Sequence, residues 1–540
     1  MENELESKEL SHLGLVAGMI DQLGIVEGID SKVDQDLTDR HVSIGLGVKA
    51  MIINGLGFSQ RTLYMVSSYF EDLPIELLLG SKIRASHLND SVLGRILDKI
   101  YEYGCTKLYS ELTPMICQNL GLSPSELCMD STDFHLDGKY NSEVELEEDS
   151  KVLHLRRGYS RDHRPDLNQV VLNLIVENQA GIALHMEAHS GNKSDKAIFR
   201  ETIEEHVSQL QNIYEVADLL MDSAGYCAET IQEHSAKVNW ISRVPETIKE
   251  ARMAIEAGGG MKELSPGYSY RMMHSNYGEI AQRWAVIHSE ESYQKELITL
   301  KKNYLKDSEK AFKAFEKISN QKFSCEQDAQ KYLNEFCKKN PIVTIQDPHI
   351  QAIAQYKGQG RPAKDAQPSH YIYEVQGNCA CSIDHFRTLA QHKGKFIIAT
   401  NNLDIDKTPD DQLLSKYKSL SKVERGFRFL KDPQFIAASF FVKKPERVEA
   451  LLFIMTLSLS VYAAIEYQAR QLLIKNNETL PNQLKKEVKN PTARWIFAMM
   501  SGIHVLYIND NQPVVLNLTD VKKKIIDLFG ACVQKYYLRT

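Results

Sequence analysis

The sequence predicts a multidomain α/β protein, and three observations carry that expectation. At 540 residues the chain is too long for one hydrophobic core, and about 150 residues per domain gives three or four domains. Residues 121–245 alternate short apolar runs with a helix-like stretch, which is an α/β order. The flanking segments, 1–120 and 471–540, read as helices. A composition of 43% hydrophobic and 25% charged residues, with 16 Pro and 29 Gly, supports packed cores and excludes a fibrous or broadly disordered chain.

In the first 120 residues, Leu13, Val16, Ala17, Ile20 and Leu23 repeat at helical spacing, as do Leu93, Ile96, Leu97 and Ile100. Asn89 suits an N-cap, Gly104 a helix stop, and Pro74 a first turn. A helical N-terminal domain that binds DNA or dimerises is expected here. From 121 to 245, Leu127-Cys128-Met129, Val170 to Val176 and Ile182 to Met186 read as successive strands, with Gln179-Ala180-Gly181 as a hairpin turn. A helix at about 196–213 leads to strands at Val216–Met221 and Val238–Val244.

Residues 246–400 read as an inserted, partly β domain. It holds the linker Gly258-Gly259-Gly260, a strand at Arg283–Ile287, a Lys-rich helix, and strands at His370–Val375 and Lys395–Thr400. Residues 401–470 resume the core with a helix from Thr408 to about 430. Ala450–Ile465 is sixteen uncharged residues containing Ser and Thr, a buried helix rather than a membrane span. The nine scattered cysteines include no zinc-knuckle pair, since Cys379-Ala380-Cys381 has the wrong spacing; with no basic signal region at the start, a reduced cytoplasmic protein is expected.

The net charge of −7 argues against non-specific coating of nucleic acid, yet residues 1–100 alone carry −6. The remainder contains basic stretches at 415–447 (nine basic, three acidic), 301–322 (seven and three) and 151–166 (five and two). These are surfaces suited to phosphate.

Two strand ends resemble each other. Leu127-Cys128-Met129-Asp130-Ser131 and Leu219-Leu220-Met221-Asp222-Ser223 each set an Asp directly after an apolar run. An ionised carboxylate so placed is costly unless a cation or donor meets it. Asp133 and Asp137 compete with Asp130, but Asp130 abuts the apolar run. On the third segment, Leu413, Tyr417, Leu420, Glu424, Phe427 and Lys431 fall within about 80° on one continuous helix. That projection places Glu424 in the core-facing stripe, where it needs a partner: Lys431, Arg428 or a cation. Three converging carboxylates suit Mg²⁺, and two such ions about 4 Å apart serve phosphodiester chemistry, with Mn²⁺ as a substitute.

The spacing Tyr417-x2-Leu420-x3-Glu424-x6-Lys431 resembles the Tyr-x2-Arg-x3-Glu-x6-Lys signature of insertion-sequence DDE transposases. The run Val423 to Pro433 is similar to one branch of them. So, in order, are His12-Leu13-Gly14-Leu15, Asn54 to Phe58, Met129-Asp130-Ser131-Thr132, Gly158 to Pro165, Gly191 to Asp195, Asp222-Ser223-Ala224, Ala281 to Trp284 and Pro491 to Trp495. The resemblance implies an RNase H-like core, a mixed five-stranded sheet with helices, interrupted by the insertion before the last acidic residue. It implies Asp130, Asp222 and Glu424 as catalytic metal ligands, cleavage of transposon ends, and strand transfer into target DNA. The expected partners are double-stranded DNA (terminal inverted repeats and target) and a second copy of the chain, in a prokaryotic cytoplasm near the nucleoid. Leu420 departs from the signature Arg. The expected DNA contacts are Tyr417, Lys431, Arg425, Arg428, Arg161, Arg164, Arg361 and Lys364, with Trp284 as a stacking residue for a flipped base.

Three other readings are set against this one. Asn192 to Asp195 matches a guanine-reading motif, but no upstream phosphate loop exists to make a GTPase. His185 and His189 stand four apart in a strand-like region, which argues for core or surface roles over metal ligation. The competing functions are a catalytically silent DNA-binding or architectural derivative and a helical interaction scaffold.

Overall fold

The computed structural model describes residues 5–35, 41–58, 62–136, 153–158, 164–216, 218–358, 365–432, 435, 442, 444–508 and 512–538. The fold is mixed α/β and divides into two compact units: residues 1–243, 276–282 and 400–540, and residues 244–275 with 283–399.

The larger unit opens on a strand where only helices are expected. β1 (Leu5–Glu9) pairs antiparallel with His504–Ile508, which pairs in turn with Val514–Leu516. An alternating polar pentapeptide at a chain end carries too weak a pattern to betray a partner five hundred residues away. Helices Leu13–Leu23, Ile25–Asp30, Ile44–Leu56, Asp90–Tyr103 and Cys105–Leu120 follow. Asn89 caps its helix by accepting from the Val92 N–H at 3.0 Å, and Gly104 ends it at φ 102°, as the sequence predicts. All but Ile25–Asp30, which packs on its neighbours, lie against the long helix Pro445–Lys475. That helix is long and apolar enough to cross a membrane, but 78% of its apolar window is buried inside the fold. Gly14 lets the C-terminal segment close in, because a Cβ there would meet the Tyr537 ring at 2.8 Å.

Within this packing, burial pushes the Glu449 carboxyl up to about 7 from 4.5; the charge of Glu187 adds to the shift and a hydrogen bond with Cys105 opposes it. The folded chain therefore holds a proton that the unfolded chain releases, so this group's contribution to stability falls as pH rises from 4.5 through about 7. Glu449→Gln is expected to flatten that limb of the thermal stability profile between about pH 5 and 8, read by unfolding scans across buffers.

The sheet of this unit is β2 (Glu126–Leu136), β3 (Asn168–Glu177), β4 (Ala183–Ser190), β5 (Asp218–Met221) and β6 (Trp240–Val244), in the order β4-β3-β2-β5-β6. β3 runs antiparallel to both β2 and β4, whereas β2, β5 and β6 are parallel. β3 and β5 are buried along almost their whole length, as a sheet covered on both faces requires. The β3–β4 turn is built as expected on Gly181 at φ 86°, and the Glu177 carboxylate accepts from the N–H groups of Gln179, Ala180, Gly181 and Ile182.

The smaller unit contains β7 (Lys262–Ser265), β8 (Tyr268–Ser275), β9 (Gln282–Ser289), β10 (Val343–Gln355), β11 (His370–Cys381) and β12 (Lys395–Thr400). β12, β9, β8 and β7 lie side by side in that order, and β10 and β11 form a separate two-stranded ladder. Helices Glu290–Ser319 and Glu326–Lys339 close over that ladder around Phe315, Phe323, Leu333, Phe336 and Val375. Gly258, Gly259 and Gly260 all take positive φ in the connection before β7, as a linker would.

Candidate active site

Asp130 lies within β2 rather than at its end, since the strand continues to Leu136. The apolar run Leu127, Cys128 and Met129 is fully buried, while Asp130 is half-buried and accepts from the Ser131 N–H at 2.8 Å. β5 is shorter and stops at Met221, so Asp222 is the exposed cap of the next turn, accepting from the Ser223 N–H at 2.6 Å. Met129 is the register partner of Met221 on these parallel strands. The following residues, Asp130 and Asp222, therefore stand side by side at the carboxyl end of β5, about 5 Å apart in backbone spacing.

The third carboxylate needs a correction. The segment 408–430 is not one helix: a 3-10 turn Asp410–Gln412 leads to helix Leu413–Lys418, and a separate helix runs Ser421–Leu430. Pro409, not Thr408, is the residue preceding the first turn, and Thr408 is buried against Asn402. In the second helix Val423, Gly426, Phe427 and Leu430 are buried, and Glu424 is exposed beside them. The break at Ser419 and Leu420 changes the phase, so the projection of one continuous helix wrongly sends Glu424 into the core. Its exposure removes the need for a buried counter-charge and leaves it accessible. Leu420, where the signature has Arg, is a core residue at 7% exposure.

The Ser421–Leu430 helix that carries Glu424 packs against β2, and Tyr417 lies in the field of all three carboxylates. Burial, and then the charges of Asp222, Glu424 and Asp130, hold its phenol well above the usual range, with Arg243 acting the other way. One side chain thus feels all three carboxylates. Their oxygens do not close into a single cluster within 4.8 Å, so the arrangement is an open rim rather than a tight cage.

Neighbouring charges position this rim. Lys416 bridges Asp218 at 2.6 Å and Glu126 at 3.0 Å, fixing the Tyr417 helix to the start of β5 and β2. Burial would lower the Lys416 ammonium, but those two carboxylates raise it overall. Lys431 does not pair with Glu424; its Nζ lies 3.7 Å from the buried Asp133 and 5.9 Å from the Phe134 ring centre. Lys416 and Arg243 escaped the sequence reading. The one signal for Lys416 was a cation one residue before the signature Tyr.

On another side of the Glu424 helix, Lys422, Arg425, Arg428, Arg470 and Arg494 line a cavity of about 350 Å³ with Phe429 and Tyr462. Asp432 holds Arg494 at 3.0 Å and Glu466 holds Arg470 at 2.6 Å. Arg425 and Arg428 are exposed. Arg164 is exposed and turned onto Asp166 at 2.9 Å. Arg161, Arg361, Lys364 and Asp137 lie outside the described residues. Trp284 is wholly buried in β9, so it packs the core and offers no face to a base.

Residues 121–461 match the family described as the transposase DDE domain, and residues 5–114 match a domain of unknown function, DUF4277. No curated protein matches the chain. Among solved structures, the cryo-EM structure of a piggyBac transposase synaptic complex with hairpin DNA is similar at a TM-score of 0.36 and 7% identity, over 93% of this chain and 83% of that one. Transposase DDE domains use divalent metal ions. With the family match spanning more than half of its length, the chain belongs to the DDE transposases.

Proposed function

We infer that the five strands β4-β3-β2-β5-β6 form an RNase H-like core whose residues Asp130, Asp222 and Glu424 carry Mg²⁺-dependent cleavage of transposon ends and strand transfer into target DNA. The observation that carries this reading is the register that sets Asp130 beside Asp222, with the exposed Glu424 on a helix packed against β2. Strand order and direction support it: β3 runs antiparallel to its neighbours β2 and β4, β2, β5 and β6 are parallel, and the two Asp stand on β2 and just past the end of the adjacent β5.

The donor set fits a hard cation, being all oxygen, with Asp222 and Glu424 open to solvent. Asp130, Asp222 and Glu424 would hold up to two Mg²⁺, or Mn²⁺ in their place. Bound there, the ions supply charge stabilisation for the attacking and leaving oxygens of a phosphodiester. The chain's own groups do the rest. Tyr417, held protonated, donates its hydroxyl toward a phosphate oxygen. Lys431, Arg425 and Arg428 attract the DNA backbone beside the carboxylates. In this reading the insertion is residues 246–400, the helical segment 1–120 serves DNA binding or dimerisation, and a homodimer pairs the two transposon ends.

The test uses full-length protein and duplexes spanning each border of its own reading frame. Mg²⁺-dependent nicks that leave 3′-hydroxyls at both borders are the expected product. Binding should weaken linearly with log salt, as counterion release requires. Salt-sensitive binding with no cleavage at any border would leave the architectural alternative standing; no binding at all would leave the scaffold.

A further inference from the structure

A second group of ligating side chains sits in the same unit, away from the carboxylate rim. Strand alternation puts His185, Glu187 and His189 on one face of β4, a grouping that helical spacing hides. His206 comes to the same place from a π-helical turn, Ile203–Val207, set into the helical stretch from Asp195 to Ile213. Such π turns are rare and frequently mark functional positions.

The geometry is convergent. Glu187 Oε2 lies 3.8 Å from His185 Nε2, 3.4 Å from His189 Nε2 and 3.8 Å from His206 Nε2. The ligand atoms of His185, Glu187 and His206 all fall within 4.8 Å of one another. Ligands 2.0–2.1 Å from a tetrahedral metal stand about 3.4 Å apart, so small side-chain adjustments close this set. His185 and His189 are 1% and 5% exposed, and the buried His185 Nε2 lies beyond hydrogen-bond distance of Glu187, with no other hydrogen-bond partner among the described residues. A buried nitrogen so placed is a costly exception that calls for a ligand. Glu187 and His206 are 26% and 21% exposed, which leaves an entry path.

The register separates this group from the catalytic rim. Glu187 stands opposite Asn173, and Asn173 opposite Ser131, so the three share one sheet face. That face meets the helical stretch residue by residue: Ser131 donates to Asp195 at 2.7 Å and Asn173 to Thr202 at 2.8 Å, with Glu187 against His206 next along. Asp130, one residue from Ser131, points to the other face.

We propose that His185, Glu187 and His206 bind one Zn²⁺-class divalent cation, which clamps edge strand β4 to the helical stretch behind the catalytic strand. Imidazole and carboxylate together select Zn²⁺ and its neighbours over Mg²⁺. His189, against the same carboxylate oxygen, orients Glu187, and the fourth position is left to water. The site is structural, set apart from the reacting DNA.

Full-length protein stripped with chelator and titrated with Zn²⁺ should take up one equivalent and gain about 5 °C in Tm. Co²⁺ in its place should give the visible absorption of a four-coordinate site. His206→Gln and Glu187→Gln, checked for folding by circular dichroism, should lose that equivalent, the Tm gain and the Co²⁺ spectrum. The triple variant Asp130→Asn, Asp222→Asn, Glu424→Gln should keep all three. Wild-type protein that takes up no stoichiometric Zn²⁺ overturns the proposal, as does uptake that survives Glu187→Gln or disappears in the triple variant. Because none of these readouts involves DNA cleavage, the outcome is independent of the transposition reading.

Discussion

Asp222→Asn protein is expected to keep its affinity for transposon-end DNA while end cleavage in Mg²⁺ falls by at least about a thousand-fold, the scale lost with one group that stabilises developing charge. Asp130→Asn and Glu424→Gln should behave alike, because the three act as one unit and their losses should not add. The measurement is single-turnover nicking of a labelled border duplex, paired with a binding titration at the same salt. Retention of more than about a tenth of wild-type cleavage by Asp222→Asn would remove it from the site. The asymmetry between binding and chemistry follows from the register: Asp222 is a solvent-facing cap beside Asp130, and its loss breaks no packing.

The largest stability effect is expected at Asp21. Its carboxylate meets Lys49 at 2.6 Å, Tyr536 at 2.5 Å and Lys535 at 2.7 Å, and Lys49 is 4% exposed. Burial would raise the Asp21 carboxyl, but Lys49, Lys535 and Tyr536 hold it below its ordinary value. For Lys49 burial wins, and its ammonium is lowered despite Asp21. The lysine is therefore the member that depends on the pair. Asp21→Ala leaves it buried without its counter-charge, at a cost of about 3–5 kcal/mol and on the order of 10 °C in Tm. Asp21→Leu combined with Lys49→Met should recover most of that loss. Because the folded carboxyl is depressed, its contribution is complete above 3.8 and is lost as pH falls through the folded value.

What the sequence discloses follows the range of the forces involved. Strands such as Val170–Val176 and caps such as Asn89 are set by residues a few positions apart, and they are readable. So are Asp130 and Asp222, because an apolar run ending in an acid is a local pattern. Glu424 is readable as a signature position but not in its burial, since the break at Leu420 depends on how two short helices settle on the sheet. β1 is invisible because its partner is half a thousand residues away. The grouping of His185, Glu187 and His206 needs both a strand period and a π turn, neither of which shows until the backbone is in place.

The pairing of β1 with His504–Ile508, and of Tyr537 with the backbone of Ser11 and Leu15, also sets an order of events during synthesis. The first helices leave the ribosome with Asp21, Lys49 and Gly14 facing a gap that residues beyond 500 must fill. At about 5–20 residues per second, that gap stays open for tens of seconds. The core around Asp21, Lys49 and Gly14 therefore closes only once residues 504–537 have been made, and until then those helices stay incompletely packed.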